Sequence, residues 1–553
     1  MAREPVIERD VAVPMRDGIV LRADVYRPAT DRPVPALVNR TPYDRTSPLI
    51  QLAAIEPERA VDAGFALVCQ DVRGRFASEG EFYTFFSDVD DTFDTVEWTA
   101  AQTWCDGNVG MAGRSYAAAV QWLGAAERPP HLRAISPIVT GSDFYNGWIY
   151  EGGAFQFGFN VFWIWLMTNP RGIAKLDEVY RHLPLRTLPI SDLVWARLYA
   201  HWLAHSTDDH YWRALSINRR YERIEVPAFI IGGWYDVFIR GTLENYVGMR
   251  ARAGSELARA SPRLLVGPWA HGSTYGPYPD HSFDLFAPND ATDVPELQLR
   301  FFAHHLRGDA NGLGDEPPVR IFVMGENRWR DEDDWPLARA RETPWYLHEH
   351  GALTGEPPGD ERPDEFLYDP DDPAPTIGGP TSLPARMMKP NSGPLDQRRL
   401  DDRADVLVYT SAVLEEPLEV TGPLALRLHA ATSARDTDFV AKLVDVRPNG
   451  EAIIVAEGVI RARFREGFDR EVLVEPDRPY EYRIDLAATS NVFLPGHRIR
   501  LLVTSSSFPR FDRNLNTGSP LGVDGPGDAL IARQTVFHDP ERPSCLLLPV
   551  VPS

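Results

Sequence analysis

The sequence predicts a multidomain α/β protein in which a mostly parallel sheet covered by helices is broken by a helical insertion and followed by a β-sandwich. Three observations carry this reading. Residues 1–141 alternate short, nearly continuous apolar runs with helical stretches, the pattern of strands buried on both faces. Residues 140–223 interrupt that alternation with aromatic-rich helical sequence. Beyond residue 394 helical periodicity mostly disappears, and apolar or alternating runs separated by turn residues take over. At 553 residues the chain has room for about three domains of ordinary size.

In chain order, apolar runs at 11–15 and 19–26 flank Arg16-Asp17-Gly18, and Asp-Gly between two such runs predicts a hairpin. Buried strands are expected at 36–39, 64–70, 109–112 and 132–139. Between them 88–102 reads as a helix, with Ser87 as its N-cap and Asp88, Asp90 and Asp91 at the positive end of its dipole. A second helix is expected at 116–127, directly after a glycine-flanked serine. In the insertion, Phe155, Phe157, Phe159, Phe162, Trp163 and Trp165 crowd together, as in a helical cap.

The strand signal returns at 228–232 and 263–266, followed by an amphipathic helix near 296–306 and a last strand at 319–324. The α/β domain is therefore expected to be discontinuous, formed by 1–141 and 226–343 around a cap at 142–225, with 344–553 as a separate β domain. Residues 355–394 contain ten prolines and read as an irregular connection rather than a helix. In the β domain, strands are expected at 424–430, 437–446, 452–462, 480–486 and 497–504.

Composition narrows the function classes. With 43% hydrophobic, 11% aromatic and 25% charged residues, the chain resembles neither a disordered nor a fibrous protein. Its 57 basic against 79 acidic residues give a net charge of −22, which repels phosphate backbones and anionic headgroups. No nucleic-acid or membrane partner is expected, and self-association into a homo-oligomer is left open. Cys69, Cys105 and Cys545 cannot supply a disulfide framework, and the N-terminus lacks the features of a signal peptide. The most apolar stretch, 153–167, is interrupted by Gln156 and Asn160 and is too short to span a bilayer. The expectation is a soluble, cytoplasmic protein.

The sharpest local chemical signal is Gly113-Arg114-Ser115-Tyr116-Ala117, between an expected strand and an expected helix. This is the setting of a nucleophile elbow, where small neighbours let the chain turn sharply enough to hold a serine hydroxyl above the sheet edge. Ala117 stands where the usual G-x-S-x-G pattern has a second glycine. A serine hydroxyl needs a base, and the base needs an orienting acid. Asp236 and His271 each end an expected strand after the elbow, in the order Ser, Asp, His. Taken singly, Ser115 reads equally as a helix cap, Asp236 as an Asx turn and His271 as a loop histidine; their joint order and strand-end placement favour a triad.

Several longer stretches carry a family resemblance. They are Val13-Pro14-Met15-Arg16-Asp17-Gly18, Thr41-Pro42-Tyr43-Asp44, Asp71-Val72-Arg73-Gly74-Arg75-Phe76-Ala77-Ser78-Glu79-Gly80-Glu81-Phe82, Trp104-Cys105-Asp106-Gly107-Asn108-Val109-Gly110-Met111, Gly113-Arg114-Ser115-Tyr116, Gly233-Trp234-Tyr235-Asp236 and Gly267-Pro268-Trp269-Ala270-His271. In this order they make the chain similar, over essentially its whole length, to the cocaine esterase and X-Pro dipeptidyl-peptidase family of serine hydrolases. The resemblance implies an α/β-hydrolase domain, an inserted helical cap and a C-terminal jelly-roll domain. It also implies an oxyanion hole built from the Tyr116 backbone N–H and the Tyr43 phenol, and pocket walls at Trp163 and Phe238. The carboxylate cluster with which some members bind a substrate ammonium is not identifiable here.

The activity expected is hydrolysis of small carboxylic esters through an acyl-serine, with no metal or organic cofactor. An amide-cleaving relative, such as an X-Pro dipeptidyl-peptidase, an α-amino acid ester hydrolase or a β-lactam acylase, is the alternative. From another class stands a vestigial hydrolase that binds a partner through its jelly roll. His201 and His205 have a zinc-pair spacing without the glutamate of a metalloprotease helix. The pairs His304 with His305 and His348 with His350 are not metal sites on this reading, and Asp309-Ala310-Asn311-Gly312 lacks the later ligands of a calcium loop. The acidic run Asp331-Glu332-Asp333-Asp334 reads as solvated surface.

Overall fold

A computed structural model describes residues 4–47, 55–271, 278–283, 287, 292–384 and 391–552. The strands of the first part are β1 (Val6–Pro14), β2 (Val20–Arg27), β3 (Val34–Thr41), β4 (Ala66–Asp71), β5 (Cys105–Arg114), β6 (Leu132–Ile138), the two-residue strands β7 (Tyr150–Glu151) and β8 (Ala154–Phe155), β9 (Phe229–Tyr235), β10 (Arg263–Ala270), β11 (Val319–Val323) and β12 (Arg328–Glu332). All except β7 and β8, which pair with each other, join one sheet in the order β1-β2-β4-β3-β5-β6-β9-β10-β11-β12. The strands from β4 to β11 in that order are parallel. The hairpin edges β1-β2 and β11-β12, and the β2-β4 pair, are antiparallel. Every residue of β4 and β9 is buried, as strands covered by helices on both faces require.

The strand order reverses at β3, which has β4 on one side and β5 on the other. Loops leaving the carboxyl ends of β3 and β5 therefore diverge there and open a crevice, the place where open α/β sheets receive ligands. Residues 42–47 and the Ser115 turn leave from those two ends.

The sequence placed the elements well but misread some of their chemistry. Ser87 precedes the helix Asp88–Ala100 but has helical angles, φ −73° and ψ −22°, and its side chain makes no capping bond. Asp88 and Asp91 serve as partners of the arginines Arg40 and Arg73 rather than as solvated dipole charges. The amphipathic helix is α-helical only over Val294–Phe302 and widens into a π turn over Ala303–Arg307. Residues 319–324 are not the last strand, because β12 pairs back on β11. Its charged sequence hid it: Asp331 pairs with Arg320, while Glu332, only 6% exposed, pairs with Arg330 and Arg339. The acidic run is thus partly buried and ion-paired, not simply solvated.

The apolar stretch 153–167 forms β8 and most of the buried helix Phe157–Thr168. Among the described residues no helix is long and apolar enough to cross a membrane. A second long helix, Leu193–Ala204, starts on Asp192, whose carboxylate accepts from the Val194 and Trp195 N–H groups.

The β domain contains β13 (Arg341–His348), β14 (Ala352–Thr354), β15 (Asp364–Tyr368), β16 (Val406–Thr410), β17 (Leu418–Thr432), β18 (Asp438–Val446), β19 (Ala452–Arg461), β20 (Tyr480–Phe493), β21 (Arg498–Thr504), β22 (Ala532–Asp539), β23 (Arg542–Pro543) and β24 (Cys545–Val551). They enclose a core that includes Leu426, Leu428, Phe439, Ile484 and Leu501. Residue 343 lies inside β13, which pairs along its length with β24. The proline-rich segment contributes β15, an edge strand on β22, because residues 364–368 are its longest proline-free stretch with strand-forming side chains.

A buried ion chain joins the parts. Lys442 Nζ lies 3.1 Å from Glu457, both side chains being fully buried. Glu457 also meets Arg510, Arg510 binds Glu151 at 2.9 Å, and Arg240 bridges Glu151 to Asp485. Burial raises the Glu457 carboxyl, but Lys442 and Arg510 outweigh it and hold the group down at about 2. The chain thus links β18 and β19, the β7 strand of the insertion, and the helix Ile239–Arg252 that follows Asp236.

Candidate active site

Ser115 sits between β5 and the helix Tyr116–Ala125 with φ 57° and ψ −117°, a conformation that side chains other than glycine rarely adopt. The strain is held by its surroundings. Its N–H donates to the Ile138 carbonyl at 2.9 Å, and the Ala118 and Ala119 N–H groups both donate to its own carbonyl. The close approach that the turn demands falls on Gly113: a Cβ there would lie 2.7 Å from the Ala117 Cβ and 2.9 Å from the Ala117 carbonyl oxygen. With Gly113 in place, an alanine fits at 117, which explains the departure from the usual pattern.

The serine hydroxyl lies 3.0 Å from His271 Nε2, and His271 Nδ1 lies 3.0 Å from Asp236 Oδ2. Asp236 follows β9 and is fully buried; its other oxygen accepts the Phe238 N–H at 2.8 Å. His271 follows β10, and its carbonyl accepts from Arg114 Nη2 at 2.8 Å, which ties the histidine strand end to the elbow. A buried carboxylate can only accept, so it fixes the proton on Nδ1 and leaves the Nε2 lone pair facing the serine. The three residues, 121 and 35 positions apart, are brought together by parallel strands whose carboxyl ends lie on one edge.

Tyr43 follows β3 in a loop that is stapled in place. Arg45 donates to Asp24 and Asp10 at 3.1 and 2.8 Å and also binds Asp71. Burial pushes the Tyr43 phenol up to about 12, against the opposing pull of Trp163, Ser115 and the Arg75 charge. The Trp163 N–H is buried and faces this phenol without forming a full hydrogen bond. An indole N–H can only donate, so it favours a phenol whose own proton points away from it.

Tyr116 occupies the first helical position, where a backbone N–H has no intrahelical acceptor. Its side chain is committed elsewhere, donating to Asp88 Oδ2 at 2.5 Å and accepting the Phe85 N–H at 3.2 Å. Only its backbone is therefore available to a ligand above the elbow.

Phe238 and Trp163 both belong to the aromatic wall around this centre. The Phe238 ring meets the His271 ring edge-on, with centroids 5.2 Å apart, and packs on Trp148 at 4.3 Å. Trp163 contacts Tyr116 at 6.1 Å and Trp195 at 5.1 Å. Sequence reasoning did not assign Phe159 and Trp148 to the site, although Phe159 reaches the His271 ring at 6.0 Å. Phe159 and Trp163 are four residues apart on one helix, so the i, i+4 rule held the signal.

The other histidines have ordinary partners. His201 Nδ1 lies 2.6 Å from the Tyr83 hydroxyl, His205 Nδ1 the same distance from Asp209, and His348 Nδ1 2.8 Å from Glu361. Burial pushes His305 down to about 4, beside Phe301. Asp309 binds Arg307, and Asn311 donates to the Arg300 carbonyl. Among the described residues no group of three or more His, Cys, Asp or Glu side chains is arranged to hold a metal ion.

Known proteins place this geometry in context. Residues 17–273 match the X-Pro dipeptidyl-peptidase (S15 family) profile, and residues 311–547 match the X-Pro dipeptidyl-peptidase C-terminal non-catalytic domain. The cocaine esterase of Rhodococcus sp. (strain MB1 Bresler) is 38% identical over 99% of this chain and 98% of its own. The chain belongs to the cocaine esterase and X-Pro dipeptidyl-peptidase (S15) family. Among solved structures of like architecture, an aminopeptidase from a marine sediment Thaumarchaeota archaeon is 26% identical with a TM-score of 0.84, covering 99% of this chain and 96% of its own. An α-amino acid ester hydrolase is 27% identical with a TM-score of 0.83, covering 99% and 97%. This S15-family protein accordingly has an α/β-hydrolase domain with an inserted helical cap and a C-terminal jelly-roll β domain, and it is a hydrolase.

Proposed function

We propose that the protein is a serine esterase that cleaves small carboxylic esters through an acyl-serine intermediate, with Ser115, His271 and Asp236 as its triad. The observation that carries this reading is the unbroken Asp236–His271–Ser115 hydrogen-bond chain on a strained elbow at the sheet's switch point. Ser115 Oγ attacks the ester carbonyl carbon while His271 Nε2 takes its proton, and Asp236 stabilises the imidazolium. The Tyr43 phenol and the Tyr116 N–H donate to the oxyanion. His271 then protonates the departing alkoxide, and a water deprotonated by the same nitrogen releases the acid from the serine. In this division of labour 1–141 and 226–343 supply the triad, the cap at 142–225 supplies Trp163, and 344–553 braces the cap through the Arg510–Glu151 pair.

An ester is favoured over an amide by what stands beside the acid. Val237, Phe238 and Ile239 are apolar and buried at 5%, 0% and 3% exposure, whereas a peptidase needs a polar anchor for its substrate's free ammonium. The three cysteines are free and buried, which supports a reducing, cytoplasmic setting. An alkyl phosphonate fluorophore should label wild type and not Ser115→Ala, and p-nitrophenyl butyrate should be turned over faster than an Ala-Pro anilide. Undiminished labelling of Ser115→Ala would remove the nucleophile, and a faster anilide would replace the esterase by a peptidase.

A further inference from the structure

Four arginines gather at the carboxyl ends of β3 and β4, and three are neutralised. Arg40 pairs with Asp88 at 3.0 Å, Arg45 with Asp10, Asp24 and Asp71, and Arg73 with Asp91 at 2.6 Å and Asp17 at 2.7 Å. Arg75 is the exception: among the described residues it has no ion pair. Its Nε donates to the Pro42 carbonyl at 3.2 Å, and its guanidinium lies over the rings of Phe76 and Phe82 at 5.1 and 5.4 Å. The four N–H donors of its terminal nitrogens have no hydrogen-bond acceptor among the described residues. Arg75 is partly buried, and that desolvation lowers its pKa. Asp192 and Asp71 act on it only from beyond ion-pair distance, so this half-dehydrated cation has no carboxylate in contact among the described residues and a ligand could supply one.

Arg75 is held in a built loop. Gly74, at φ +68°, lets the chain pass so close to the returning strand of the loop that a Cβ there would lie 2.1 Å from the Phe82 nitrogen. Gly74 N–H bonds Glu79, Ser78 N–H bonds the Arg75 carbonyl, and the Ser78 hydroxyl bonds the Asp71 carbonyl at 2.8 Å. Phe76 has φ +50° and is 56% exposed, a large apolar side chain held in a strained conformation at the rim.

The location connects this loop to Ser115. Pro42, which accepts from Arg75, precedes Tyr43, and Phe82 packs against Tyr116 at 6.3 Å and Trp195 at 5.4 Å. In a protein of net charge −22 an anionic substrate is repelled in general, so an unpaired cation here marks where one would be accepted.

We propose that Arg75 is an anion subsite of the Ser115 centre, so that the enzyme favours esters bearing a carboxylate, such as half-esters of short dicarboxylic acids. The planar guanidinium offers two parallel donors to such a carboxylate, and Phe76 covers the adjoining methylenes. The inference rests on the serine esterase reading above.

The test compares kcat/KM for mono-(p-nitrophenyl) glutarate with that for p-nitrophenyl valerate, and for 4-carboxyphenyl butyrate with that for phenyl butyrate. The first pair places the carboxylate on the acyl side and the second on the alcohol side. Arg75→Gln should lower the charged-to-neutral ratio about tenfold or more in one pair, and Arg75→Lys should restore part of it. In wild type that ratio should fall as salt is raised, a readout that needs no variant. A ratio within about twofold of wild type in both pairs for Arg75→Gln, or a wild-type ratio indifferent to salt, overturns the subsite. If Ser115→Ala hydrolyses these esters as wild type does, the esterase reading fails instead.

Discussion

Tyr43→Phe removes a single oxygen from the site and tests the oxyanion assignment most directly. In wild type that oxygen belongs to a phenol whose proton is retained because burial holds it up to about 12, so it stays a neutral donor throughout the working range. The variant keeps the ring, the Arg45 staple and the Tyr116 N–H, so one of two proposed donors is lost and the other remains. Loss of one such donor costs about 3 kcal/mol of transition-state stabilisation, or roughly 100- to 1,000-fold in kcat. KM should change little, because the ground-state carbonyl carries far less charge than the tetrahedral oxyanion. Among the described residues the phenol makes no hydrogen bond of ordinary geometry and the facing Trp163 N–H stays without a partner, so stability should fall by less than about 1 kcal/mol.

The assay is stopped-flow hydrolysis of p-nitrophenyl butyrate, which separates acylation from deacylation; both pass through an oxyanion and both should slow. The sign of the pH dependence follows from the raised phenol. Below its unfolded value of 10.0 Tyr43 is protonated in both states, and its contribution is lost only as pH rises toward about 12. Activity should therefore show no loss assignable to Tyr43 between about pH 8 and 10. A kcat for Tyr43→Phe within about threefold of wild type would remove the phenol from the mechanism.

Two further outcomes bear on the scaffold. Gly113→Ala forces a Cβ to 2.7 Å from the Ala117 Cβ and should cost about 1–3 kcal/mol while displacing Ser115, measured by urea unfolding and by kcat; an active, undisturbed variant would show that the elbow tolerates the group. Lys442→Met leaves Glu457 buried against Arg510 alone and should lower stability by about 3–5 kcal/mol, as unfolding midpoints would report. Because Glu457 is held at about 2, below its ordinary 4.5, its wild-type contribution is present above 4.5 and lost as pH falls toward 2. In Lys442→Met the carboxyl is held down less, so that loss should shrink and be complete at higher pH, and an unchanged acid profile would show that Lys442 does not hold the carboxylate.

Legibility differed by the range over which each feature is decided. The elbow, the strand ends that carry Asp236 and His271, the parallel strands and the helical insertion were readable because each depends on a few neighbouring residues, on turn chemistry or on a hydrophobic period. The edge strand β12 was missed because its burial comes from ion pairs with Arg330 and Arg339, not from an apolar alternation. The capping role expected of Ser87 failed because the helix start is buried, where Asp88 and Asp91 meet arginines from other elements.

The sequence by itself determined the order of the elements, the family and the reactive side-chain types, since these are written in local pattern and covalent spacing. Only the tertiary structure decided that His271 meets both Ser115 and Asp236 at 3.0 Å, and that burial raises the Tyr43 phenol. It also decided that, of the four arginines there, Arg75 has no ion pair among the described residues, and that one ion chain crosses three parts of the molecule. Charge pairing, desolvation and hydrogen-bond geometry depend on atoms from residues hundreds of positions apart, and no local pattern in the chain encodes their distances.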